Sequence, residues 1–332
     1  MECLGCGGQC IAPQLRQTRI RTRNLNVSTT MSDKAASIGR ARQRQRAPAP
    51  LSRRRNRTAL LFLLPGGLLF ALYVIYPVIS SILLSFYNWD GMTARAFVGL
   101  DNYRELFHSD TFYTALKNNV IWLVLFLLAP PFGLVFALYL NQSVRGIRLI
   151  KSLFFAPFVL PGVVVGLVFG WFYDPTFGLL KLIVGHGIPV LGDPRYVTYG
   201  IIFAALWPQI PFCMILYLTG LTGINSEIIE AARMEGAQGF ALLWHVILPQ
   251  LRPATFMAFL LTVIGALRSF DLISVMSGGG PFDSSTVLAY FMYDQAIKYY
   301  REGYSAAIAV VLFVIMLIFI VWQLRRLVRS ET

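Results

Sequence analysis

The sequence is poor in side chains that carry covalent chemistry. Its three histidines, His108, His186 and His245, stand far apart, and no His-Glu-x-x-His run occurs, so a zinc-hydrolase centre of that kind is excluded. No Gly-x4-Gly-Lys-Ser/Thr run exists either, which excludes ATP binding in the P-loop manner. Gly278-Gly279-Gly280 is followed by no basic residue and no helix-opening pattern, so it reads as a sharp exit from an apolar segment rather than a phosphate cradle. Cysteine is confined to Cys3, Cys6, Cys10 and Cys213. The first three have no second ligand pair at zinc-finger spacing, and no disulfide framework is indicated. Cys213 lies in an apolar run, where a thiol packs as a small hydrophobe. These absences argue against an enzyme and against a resident metal or cofactor.

Charge is also scarce. Only 14% of residues are charged and 56% are hydrophobic, against roughly 25% charged in soluble domains. The apolar runs are about twenty residues long, enough to cross a ~30 Å hydrocarbon core as helices. They are continuous rather than alternating, which excludes a β-barrel. The expected fold is therefore all-α: a polytopic membrane protein with six spans, near 58–86, 115–140, 153–173, 198–221, 254–276 and 306–324. Pro65 and Pro77 lie inside the first, and Pro208 and Pro211 are expected to interrupt the fourth. Such breaks are tolerated where neighbouring helices re-satisfy the backbone.

The net charge of +13 is concentrated at one end. Residues 1–57 hold 13 Lys or Arg and two acids, Glu2 and Asp33, which accounts for +11. The rest is near neutral, so no nucleic-acid surface follows. The 1–57 stretch reads as a disordered basic tail, either a solvated arm or one that touches anionic headgroups. It lacks the apolar core of a secretory signal. Met31 is an alternative start that would remove all three clustered cysteines. Six spans put both termini on one side, and the cation count fixes that side. The 145–151 link and the C-terminal end carry three Lys or Arg each, and the 225–253 loop two; the three opposite loops carry two each. Both termini and the 225–253 loop are expected to be cytoplasmic.

That loop is a polar island between the fourth and fifth spans. It reads as two short helices. Ser226 can cap the first, with Glu227 and Glu230 in its opening turns, where carboxylates suit the helix dipole. Ala231 and Ala232 favour helix and let another surface approach closely. Gly236 is a break. Phe240, Leu243, Val246 and Ile247 recur at helical spacing, giving the second helix one apolar face. Pro249 and Pro253 punctuate the return to the membrane.

Glu230-Ala231-Ala232, with Gly236 six residues after the Glu and Pro249 nineteen after it, resembles the EAA loop of ATP-binding-cassette importer permeases. Glu235 stands where Asp is commoner and Leu243 where Phe is commoner. Leu64-Pro65, Tyr76-Pro77, Phe97-Val-Gly-Leu-Asp-Asn-Tyr103, Phe270-Asp271-Leu-Ile273 and Gly278-Gly-Gly-Pro281 are similar to the branch that carries oligosaccharides, other sugars and glycerol phosphates. The likeness covers about 58–328 and leaves 329–332 as a C-terminal cytoplasmic end. It implies a type I importer permease in the cell (inner) membrane, working by alternating access. The implied partners are a second permease subunit, a cytoplasmic ATPase dimer that binds the ATP, and an extracytoplasmic solute-binding protein. Glu230, Ala231, Ala232, Glu235, Gly236, Ala237 and Pro249 are the implied coupling surface.

Polar residues within spans are the candidates for a substrate path, because burying them in lipid is costly. Gln209 lies between Pro208 and Pro211, flanked by Trp207 and Phe212. Thr262, Arg268, Ser269 and Asp271 lie on the fifth span, where Arg268 and Asp271, three apart, are expected to share a helix face and pair. Helix–helix hydrogen bonding is the alternative for these residues. A secondary transporter is the rival reading, but it would show paired repeats and intramembrane acids, and Asp271 is the lone obvious acid.

Overall fold

The computed structural model describes residues 53–142 and 145–331, with side chains described within 62–325. Cys3, Cys6, Cys10, Met31 and nearly all of the basic tail lie outside the described residues. The chain divides into two units between Leu69 and Phe70. Helix α1, Arg53–Phe70, begins within the last five residues assigned to that tail. A π-turn, Ala71–Ile75, leads into α2, Tyr76–Leu84. Among the described residues the only strands are β1 (Tyr87–Asn88) and β2 (Ala96–Phe97), an antiparallel hairpin pairing Tyr87 with Phe97.

Among the described residues five helical stretches are long and apolar enough to cross a membrane: Phe62–Leu84, Asp110–Leu140, Val197–Thr222, Arg252–Met276 and Glu302–Arg325. A bent pair, Ile147–Val159 and Gly162–Phe172, makes the sixth if counted as one span. After α3 (Asp101–His108), the second span is α4 (Asp110–Phe126) and α5 (Ala129–Leu140). Pro130 and Pro131 open α5, where a missing N–H costs nothing.

The third span departs most from expectation. Its halves, α6 (Ile147–Val159) and α7 (Gly162–Phe172), meet at 95°. Pro161 drives Leu160 out of the helical region, to ψ 133°. After α8 (Leu179–Val184), the fourth span, α9 (Val197–Thr222), runs as one helix through Pro208 and Pro211. The expected interruption there is therefore corrected. Pro211 is buried, and α9 carries buried residues along its whole length, so tertiary packing outweighs the two lost backbone bonds.

The bundle core is built around α9. Ala129, Gly133 and Ala137 recur every fourth residue on α5, and a methyl added to Gly133 would lie 2.6 Å from Cys213 Cβ and 2.8 Å from the Met214 nitrogen. Lipid tails are as apolar as leucine, so helices associate through close backbone approach at small residues. Gly133→Leu should overpack this contact at roughly 1–3 kcal/mol. It would be read as a lower unfolding midpoint of the purified protein in detergent; an unchanged midpoint would mean that the contact is not under tension.

Polar side chains hold the far end together. Asn118 Nδ2 donates to the Ser284 and Thr286 carbonyls, both at 2.8 Å, and Asn119 Oδ1 accepts from the Leu288 amide at 2.9 Å. These bonds tie the Gly278–Val287 turn to the second span and satisfy an orphan amide at the start of α14, Leu288–Ile297. The sequence reads as loop there, and the structure forms a helix instead. The final helix, α15, is Glu302–Glu331.

Candidate functional site

The loop between the fourth and fifth spans folds as a two-helix unit. The first helix, α10, covers Ser226–Met234. Its cap is Asn225, not Ser226: Asn225 Oδ1 accepts from the Glu227 amide at 3.0 Å. Asn and Ser are equally good caps, so the sequence left the boundary open by one residue.

The end of α10 is defined by three bonds. Glu235 N–H donates to Ala231 O at 3.1 Å, Gly236 N–H to Arg233 O at 3.1 Å, and Ala237 N–H to Ala232 O at 2.9 Å. The last two, with Gly236 at φ +91°, form a Schellman termination. Only glycine adopts that backbone without strain. Gly239 follows at φ +51°, and the chain turns into α11, Gly239–Gln250, which contains a π-turn at Leu243–Ile247.

Glu230, Ala231, Glu235, Gly236 and Pro249 are exposed, and Ala232 and Ala237 half-buried. Glu227, Ala231 and Met234 are exposed at helical spacing, with Met234 at 89%. Ala232 turns partly inward. The second helix differs from its expected pattern. Leu242 is its buried residue, with Leu243, Val246 and Ile247 half-buried, while Phe240 is 73% exposed. Phe240 instead stacks on Trp244, centroids 5.8 Å apart and planes at 18°. The π-turn widens the helix and breaks the regular spacing that put Phe240 with the others.

The intramembrane polar residues separate into two groups. Gln209 Nε2 donates to Thr262 Oγ1 at 3.1 Å, and Cys213 Sγ lies 3.5 Å from the same oxygen. Thr262 is fully buried. This cluster joins α9 to α12, Arg252–Leu267. Trp207 packs edge-on against Phe169, and Phe212 stacks on Phe158 at 5.0 Å. The other group lies at a break in the fifth span. α12 ends at Leu267, Arg268 is its C-cap, and α13 restarts at Asp271 and runs to Met276. Arg268 and Asp271 therefore do not share a continuous helix face. Both are exposed, and no ion pair joins them. Ser269 donates back to the Gly265 carbonyl at 3.2 Å. The Asp271 carboxylate lies against Gly162, where an added methyl would be 3.1 Å from Oδ2. The break in the fifth span thus meets the bend in the third.

At the other end of the bundle, hydrogen bonds from Thr93 and Met92 to Asp90 hold its carboxyl down to about 2. Arg301 makes a two-pronged bond to Glu105, at 2.7 and 2.6 Å.

A bundle of this kind, with an exposed two-helix loop between two spans, is that of a polytopic membrane protein. The chain belongs to the family of binding-protein-dependent transport system inner membrane components, whose model matches residues 129–330; it is an ABC transporter permease and not an enzyme. It is 34% identical over 275 residues to the probable ABC transporter permease protein YurN of Bacillus subtilis, covering 80% of this chain and 94% of the relative. It is 34% identical to the multiple sugar-binding transport system permease protein MsmF of Streptococcus mutans, covering 80% and 93%. It is 30% identical to the trehalose/maltose transport system permease protein MalF of Thermococcus litoralis, covering 82% and 94%. Among solved structures, a bacterial ABC transporter involved in the import of the acidic polysaccharide alginate matches with a TM-score of 0.74 at 20% identity, covering 84% and 98%.

Proposed function

We propose that this chain is the membrane-spanning subunit of an ATP-driven importer for sugars or related polyols or glycerol phosphates, and that the 225–253 loop is its cytoplasmic coupling surface. The observation that carries the reading is the exposed Glu230-Ala231 face of α10, ended by the Gly236 turn. Relatives with names that state multiple-sugar and trehalose/maltose transport support the sugar class. A complex of a fold neighbour with its periplasmic binding protein supports a soluble donor of substrate outside.

In this reading the chain binds no ATP itself. A separate ATPase dimer closes on ATP, moves α10 and its counterpart on a second permease subunit, and rocks the spans between inward- and outward-facing forms. Arg268, Ser269 and Asp271, at the junction of the two broken spans, are the better candidates for substrate contact. Gln209 and Thr262 are spent on each other, and Trp207 and Phe212 pack against their own bundle.

The test is purification of the tagged full chain from cells expressing its neighbouring reading frames. An ATPase and a second permease should copurify, and uptake of labelled sugar should require ATP. Transport by the chain alone, with no nucleotide, would favour a secondary transporter instead.

A further inference from the structure

We propose that the groove between α6 and the loop-side end of α9 holds an anionic phospholipid with a hydroxyl-bearing headgroup. The proposal rests on the cytoplasmic placement of that end put forward above. The groove has a volume of about 430 Å³ and includes Arg148, Lys151, Thr219 and Thr222, over apolar residues that include Phe155 and Leu218. Arg148 and Lys151 are three apart on α6 and share a face. Among the described residues neither makes an ion pair, and the two ion pairs present lie elsewhere, at Lys298–Asp294 and Arg301–Glu105.

Two unpaired cations in one groove at the end of two apolar helices call for an anion. The chemistry of the rest narrows its kind. Thr219 Oγ1 donates to the Leu216 carbonyl at 2.8 Å and Thr222 Oγ1 to the Thr219 carbonyl at 2.9 Å. Their protons are used, so the hydroxyls serve as acceptors. The cations take the phosphate and the threonine oxygens accept from headgroup hydroxyls. The apolar floor takes the start of an acyl chain, for which a free soluble anion would have no use. Basic pockets between membrane helices on the cytoplasmic side suit lipid headgroups of this charge.

The experiment uses the full chain, with whatever subunits copurify, in phosphatidylcholine nanodiscs containing spin-labelled phosphatidylglycerol or spin-labelled phosphatidylcholine. Motionally restricted phosphatidylglycerol should exceed phosphatidylcholine by about thirtyfold, the order set by two surface cations. The double variant Arg148→Gln, Lys151→Gln should bring the two lipids near parity. If that variant fails to accumulate, Leu218→Trp, which fills the floor and keeps both cations, should lower the preference instead. Equal binding of both lipids overturns the proposal. So does a preference untouched by the variants, displacement by soluble glycerol phosphate, or a preference seen only after the copurifying subunits are stripped away. Labelling of Glu230→Cys by an impermeant maleimide separates the two readings. Reaction from outside the cell sinks the placement; protection there with no lipid preference sinks only the lipid site.

Discussion

Ala231→Trp is expected to cut ATP-dependent uptake by one to two orders of magnitude while the chain stays in the membrane at its normal level. Ala231 is exposed on α10, in the stripe that also presents Glu227 and Met234. Among the described residues nothing covers that stripe, so an indole there leaves their packing intact. It meets only a docking partner. Overpacking a fitted contact costs typically 1–3 kcal/mol, roughly a 5- to 150-fold loss of affinity for the ATPase. Ala232→Trp should also abolish transport, but for a mixed reason. Ala232 is half-buried, and its carbonyl accepts the Ala237 amide, so a bulky side chain there strains the two-helix unit as well. The pair of variants separates the effects: Ala231→Trp should leave the melting temperature of the isolated chain unchanged, and Ala232→Trp should lower it. The check is labelled-sugar uptake alongside recovery of the ATPase on the tagged permease. Wild-type uptake by Ala231→Trp would remove α10 from the coupling surface.

The parts of this molecule governed by local rules were readable in its sequence. Apolar runs of membrane length marked the spans, and glycine at Gly236 marked the end of α10 because that turn needs a positive φ. The bend in the third span was not read from the sequence, because hydropathy treats that stretch as continuous across Pro161. What the sequence could not show was the outcome of competition between local preference and packing. Pro208 and Pro211 are breakers by propensity, yet α9 is continuous because its neighbours pack along it. Arg268 and Asp271 are three apart in number, but the helix ends between them, and spacing arguments fail across a break. Asn118 and Asn119 gave no signal, because their partners lie 166 to 169 residues away. The candidate coupling surface was legible because it is local. The candidate substrate path was only partly so, since its membership depends on which polar residues find one another.

The largest effect is expected from Gly236→Pro. Proline fixes φ near −65°, whereas this position sits at +91°. It also deletes the amide that donates to the Arg233 carbonyl. The Schellman turn cannot form, and α10 must leave at a different angle relative to α11. A graded series isolates the cause. A methyl at Gly236 would meet nothing within 4 Å, so Gly236→Ala adds no clash and pays only for its left-handed backbone, roughly 1–2 kcal/mol. Gly236→Asn should cost less than Ala, because asparagine tolerates that conformation better. Uptake should therefore fall in the order Gly, Asn, Ala, Pro. That order follows backbone preference rather than side-chain volume, since asparagine is larger than alanine. If volume set the order instead, Gly236 would be a contact residue and not the device that aims the helix. Near-normal uptake by Gly236→Pro would show that the angle between α10 and α11 does not carry the ATPase's movement to the spans.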